Sequence, residues 1–99
     1  MAQLNGGSQN YAGAGNNVVG VSGKPVTVYS YTFLSGATAG VVIFKDTNSS
    51  GAERHESTGT INSGVTVVLG QNGKYFPIGC NLTIDANTTY VDVDYAVQA

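Results

Sequence analysis

The sequence predicts an all-β domain, a jelly-roll-like antiparallel sandwich of about eight short strands. Three observations carry this. Over residues 89–97, Val91, Val93, Tyr95 and Val97 fall on one side while Tyr90, Asp92, Asp94 and Ala96 fall on the other. That is the period of a strand with one buried and one wet face. Comparable apolar runs recur at a spacing of roughly 8–12 residues between clusters of Gly, Asn, Ser and Thr, the residues of turns. No window repeats apolar residues three and four apart, as an amphipathic helix requires. Uneven strand lengths favour a sandwich over a closed barrel.

Residues 1–16 are Gly, Asn, Gln, Ser and Ala with little to bury, so they read as a flexible arm, with the sandwich over residues 17–99. The first strand covers residues 17–21. The next covers 25–34, with Pro25 at its start, where a missing N–H does least harm. Val26, Val28, Ser30, Thr32 and Leu34 share one of its faces; Thr27, Tyr29, Tyr31 and Phe33 share the other. Both faces are partly apolar, so alternation alone leaves the inward side open. Val41-Val42-Ile43-Phe44 lies in a strand over residues 40–46 and is apolar on both faces, which predicts burial on both.

Thr47-Asn48-Ser49-Ser50-Gly51 is the densest turn signal in the chain. Residues 53–61 follow as a polar edge strand or extended loop, whose charges would blunt an exposed edge. Strands at 65–69 and 74–76 flank the tight connection 70–73. Residues 81–85 and 89–97 read as a final hairpin around Ala86-Asn87-Thr88.

At 99 residues the chain is one domain. Four basic and six acidic residues give a net charge of −2, which offers no basic footprint for nucleic acid. Such sparse charge also leaves little repulsion against self-association. No apolar stretch approaches a membrane span. Met1 to Gly7 lacks the basic start and apolar run of a signal peptide, so synthesis in a cytoplasm is expected. The single cysteine, Cys80, excludes an intramolecular disulfide framework and reads as a small apolar filler.

Reactive chemistry is thin. Asp92 and Asp94 share an outward face, with Asp85 across the expected hairpin. A calcium site needs six to eight oxygens, and no Asp-rich loop supplies them, so these acids read as a solvated face. Glu53-Arg54-His55-Glu56 holds the only His and only Arg, without an obvious nucleophile, and reads as a salt-bridged edge. Gly13-Ala14-Gly15 follows no strand and opens no helix, so it is no dinucleotide loop. The sequons at Asn48, Asn81 and Asn87 read as chance matches in an Asn- and Thr-rich chain. No catalytic residue, cofactor or metal site is predicted. Tyr29, Tyr31, Tyr75, Tyr90 and Tyr95 are candidates for an aromatic patch facing a glycan or a protein.

Val26-Thr27-Val28, the run from Ala39-Gly40-Val41-Val42-Ile43-Phe44 through Asp46-Thr47-Asn48-Ser49-Ser50-Gly51, Gly73-Lys74-Tyr75-Phe76 and Tyr90-Val91-Asp92-Val93-Asp94-Tyr95 carry a resemblance. Together they resemble small all-β proteins encoded among bacteriophage structural genes. The polar segment 53–61 departs from the more apolar strand of that pattern. The resemblance implies a virion structural protein, foremost a capsid decoration or cement protein that binds the outside of the shell. The implied partners are the major capsid protein or another virion protein and further copies of the chain, with a trimer favoured. The alternatives are a head- or tail-fibre module binding a host-surface glycan, or a small tail or connector component. If Val26 and Val28 face inward on a regular strand, Tyr29, Tyr31 and Phe33 become the expected interface, joined by Leu4 and Tyr11 of the arm.

Overall fold

The computed structural model describes residues 4–48 and 50–98. Among these the chain forms nine strands and no helix: β1 Leu4–Ala12, β2 Gly15–Val19, β3 Val26–Ser35, β4 Val41–Asp46, β5 Glu53–Thr58, β6 Gly64–Val68, β7 Lys74–Phe76, β8 Cys80–Ile84 and β9 Thr88–Gln98. One antiparallel sheet runs β1-β9-β3-β6, with β7 also pairing β3; the other runs β2-β8-β4-β5. Setting the short β7 aside, the pairing is nested: β1 with β9, β2 with β8, β3 with β6, β4 with β5. A long hairpin rolled across two sheets gives this order, and it is the jelly roll that the strand pattern predicts.

The nesting corrects the expected final hairpin. β8 and β9 follow each other in the chain but lie in opposite sheets. Asp85 N–H donates to Val41 O at 3.2 Å and Gly36 N–H to Asn87 O at 2.9 Å, so this turn bonds to the start of β4 and to the loop after β3 and carries the chain across the sandwich. The segment read as an arm is, over Leu4–Ala12, the edge strand of the first sheet, in unbroken register with β9 from Leu4↔Gln98 to Ala12↔Tyr90. Its composition has little to bury, but backbone pairing with β9 supplies its hydrogen bonds, and Tyr11 anchors it in the core.

β3 resolves the strand that alternation left open. Val28 pairs Tyr95 and Ser30 pairs Asp94, so Tyr29 is an extra residue, a bulge. An extra residue shifts the inward face by one position. Val26 and Val28 point inward before it; Tyr31, Phe33 and Ser35 point inward after it, and all five are buried. β6 pairs β3 beyond the bulge and β7 pairs it before the bulge, so the loop joining them sits where the strand kinks.

The core lies between the sheets. Val26, Val28, Tyr31, Phe33, Phe76, Val91, Val93 and Val97 come from one sheet; Val19, Val42, Phe44, Cys80, Leu82 and Ile84 come from the other. Each fully buried Val, Leu or Phe contributes about 1.5–3 kcal/mol. The expectation that β4 is buried on both faces is corrected. Val42 and Phe44 are fully buried, whereas Val41 and Ile43 are half-buried on the outer side. An antiparallel sheet covers only one face, and apolar composition alone does not reveal that.

Candidate functional site

Of the expected interface residues, Tyr31 and Phe33 are instead part of the core, 1% and 0% exposed, because the Tyr29 bulge turns them inward. Tyr29 itself is half-buried at the kink. Tyr11 is buried, its hydroxyl donating to Val18 O at 2.9 Å. Burial, with Tyr95 and Cys80 nearby, pushes the Tyr11 phenol up to about 12. Leu4 begins β1, but its side chain lies outside the described residues. Tyr11, Tyr31 and Phe33, all buried, therefore do not form an exposed surface with Tyr29.

The polar groups are occupied by the fold. Asn10 donates to Asp92 at 2.6 Å, Ser30 donates to Asp94 at 3.1 Å, and the Thr32 and Thr66 hydroxyls meet at 2.7 Å across the outer face of the first sheet. On the second sheet, Thr83 Oγ1 donates to Asn16 Oδ1 at 2.7 Å and Asn81 donates to Thr83 at 3.1 Å. Asp85 accepts from Thr88 Oγ1 at 2.8 Å and from Asn87 N–H at 3.2 Å. Burial pushes its carboxyl up, but hydrogen bonds from Thr88, Asn87 and the Val41 backbone outweigh that and hold it below the usual range. Asp85 thus secures a turn, while Asp92 and Asp94 belong to cross-strand pairs. Among the described residues no three His, Cys, Asp or Glu side chains gather as a metal site would require.

The β5 segment holds the one cluster that sequence reasoning missed. His55 and Ser57 are two apart and share the inward face of β5, opposite Tyr31. The Tyr31 hydroxyl lies 2.7 Å from His55 Nε2 and also hydrogen-bonds Ser57; Ser57 Oγ lies 3.3 Å from the same nitrogen. Tyr31 and Phe44 pack their rings 4.8 Å apart beneath it. Burial, aided by the Lys74 charge, holds the His55 imidazole below its ordinary value, and the ring tautomer decides whether Nε2 donates to or accepts from the Tyr31 hydroxyl. Burial raises the Tyr31 phenol more than the Ser57 bond lowers it. The cluster therefore joins β3 of one sheet to β5 of the other and engages His55 Nε2 with the Tyr31 hydroxyl. Next to it, Arg54 binds Asp46 at 3.1 Å, with its guanidinium carbon 5.8 Å from the Phe76 ring centre. This is the salt-bridged edge that the sequence predicts.

The exposed large apolar side chains among the described residues lie in four places, one of them Val18 on β2. Ile61 projects at one end, in the loop where Asn62 N–H donates to Gly36 O at 2.8 Å. Val21 and Ile78 project at the opposite end, where Thr47 N–H donates to Gly79 O at 3.0 Å. Val68 and Tyr75 stand on the outer face of the first sheet, on the two short strands flanking the bulge; Val68 is 70% exposed. The signal for Val68 was in the sequence. Val65 and Val67 occupy the inward positions of β6, so the adjacent Val68 has to face out.

The chain is thus a small all-β jelly-roll sandwich whose buried side-chain polar atoms are partnered among the described residues and whose exposed apolar side chains lie on edge strands and in end loops. No protein-family model matches the chain, and no curated protein matches it. Solved structures do match. One, described as "Bacillus endospore appendages form a novel family of disulfide-linked pili", aligns with a TM-score of 0.53 and 9% identity, covering 99% of this chain and 87% of that one. The likeness is one of fold.

Proposed function

We propose that this chain is a non-enzymatic structural subunit of a larger protein assembly. In its finer form, it is a virion protein that decorates and cements the outside of a capsid. The observation that carries the reading is the disposition of groups. Every buried side-chain polar atom among the described residues is partnered, while Val68, Tyr75, Ile61 and Ile78 stand exposed. Groups held within the fold support rigidity, and exposed apolar side chains on a chain of net charge −2 support packing against neighbours. The bacteriophage resemblance supports a shell as the source of those neighbours. A cement protein binds the assembled shell and not its separated parts, so it stabilises assembly by mass action. That amounts to about 2.7 kcal/mol per site at a free concentration 100 times the dissociation constant.

A fibre subunit is the second reading, favoured by the likeness in fold to an endospore-appendage protein. Disulfide linkage of the kind named for that protein does not suit this chain, because Cys80 is 1% exposed in the core. The test compares particles made without this protein, before and after adding it back. A cement protein raises the temperature at which particles release their contents, and washing it off lowers that temperature again. Equal release temperatures overturn the cement reading.

A further inference from the structure

The outer edges of the first sheet differ from those of the second. β1 and β6 are the two terminal strands of the path β1-β9-β3-β6. β1, Leu4–Ala12, has no charged residue and no proline, and its register with β9 is unbroken. β6, Gly64–Val68, reads Gly-Val-Thr-Val-Val and is likewise uncharged. Natural sheets guard exposed edges with charge, proline or bulges. The second sheet does so at β5, with Glu53, Arg54 and Glu56 and a register shift opposite Phe44/Lys45. Its other edge, β2, is uncharged and has five residues, as β6 has. The first sheet ends on an uncharged strand at both β1 and β6, and the charge on the β6 side, Lys74, lies on β7, which pairs β3 beyond the reach of β6.

Direction adds a second constraint. β1, β9, β3 and β6 are each antiparallel to the next. Four alternating strands leave β1 and β6 running in opposite directions. A second copy in the same orientation, moved sideways along the sheet, therefore brings its β1 antiparallel to β6 of the first. Pairing of this kind satisfies the free backbone groups of β6 and of the β1 residues that face it, and places no like charges opposite each other. It also covers Val65, Val67 and Leu69, which pack against the core yet remain half-buried at this edge.

We propose that this chain associates with copies of itself head to tail, the β1 edge of one copy adding to the β6 edge of the next. The contact is heterologous, so the row stays open or closes into a ring according to the rotation between copies. Sheet twist of about −20 to −25° per strand pair makes the row coil. The inference deepens the structural-subunit reading and rests on it. A chain that stabilises particles but never meets its own copies refutes the edge contact alone.

The experiment measures the mass of the full-length protein by light scattering and native mass spectrometry over a concentration series. It uses the wild type, Ser8→Lys on β1, and Val68→Lys on β6. Both substituted positions are exposed, and circular dichroism confirms that each variant is folded. The wild type is expected to form species above the monomer that grow with concentration, and each variant alone is expected to lose them. Mixed in equal amounts, the variants should form heterodimers and nothing larger, because one keeps a free β6 and the other a free β1. A monomeric wild type at all concentrations overturns the proposal. So does a Val68→Lys chain that still dimerises, which would mean β1-to-β1 pairing, or a mixture that stays monomeric.

Discussion

The bulge at Tyr29 makes a quantitative prediction, because it decides which side chains of β3 reach the core. With the bulge, Phe33 is inward and 0% exposed, its ring 5.8 Å from that of Tyr31. A Cβ added at Gly59 would lie 2.7 Å from Phe33 Cε2, so the ring fills its space closely. Truncating a buried Phe to Ala costs about 3–5 kcal/mol, including some of the roughly 0.5–1.5 kcal/mol of the aromatic pair. Leu34 is half-buried on the other face, so Leu34→Ala should cost about 1 kcal/mol, the middle of the range for point substitutions. A regular strand starting from Val26 would reverse the order, with Leu34 inside and Phe33 outside. Urea unfolding separates the two cases. At a slope of about 2 kcal/mol/M, Phe33→Ala should lower the midpoint by about 2 M and Leu34→Ala by about 0.5 M. A Phe33→Ala chain less perturbed than Leu34→Ala would refute the bulge and the burial of Tyr31 and Phe33 with it.

Three more outcomes follow from particular residues. His55 is held below its ordinary value, so its neutral form is favoured by folding. That stability is fully present above the unfolded value near 6.5 and is lost as pH falls through the lower folded value. The urea midpoint should therefore drop between pH 7.5 and pH 5, and His55→Gln should flatten the drop; an unchanged slope in the variant counts against the cluster. Burial, with Asp46 nearby, pushes the Cys80 thiol up to about 12, so a thiol reagent at pH 8 should modify it only in denaturant, and rapid labelling of the native chain would contradict its place in the core. Gly20 has φ +79°, and an added Cβ would lie 2.8 Å from Val97 Cγ2. Gly20→Ala should thus cost about 1–3 kcal/mol, read as a lower melting temperature, while Gly64→Ala, with open space and no positive φ, should cost less.

The class of fold was legible because β9 alternates cleanly, its inward valines meeting the core and its aspartates facing water. Turn chemistry located most loops, including the tight connection before Lys74. What alternation does not encode is which strand pairs which. β8 and β9 look like a hairpin, but their pairing with strands of opposite sheets shows that the chain crosses, the turn bonding through Asp85 to Val41 of β4 and through Asn87 to Gly36. β1 was hidden for another reason: its stability comes from backbone pairing and one buried ring, and its Gly and Asn side chains announce neither. The bulge misled most, since one extra residue inverts every later side chain. The candidate interface inherited that error at Tyr31 and Phe33. The His55–Ser57 spacing did encode a shared face, but its partner Tyr31 lies across the sandwich and no local pattern points to it.

The central claim is that this chain is a structural subunit present in many copies. It is tested most directly by quantitative mass spectrometry of gradient-purified particles from its source, scaled to the major shell protein. The account predicts a fixed ratio near that of a shell component, unchanged by further purification. Absence from the particles, or a trace that washes away, would contradict it.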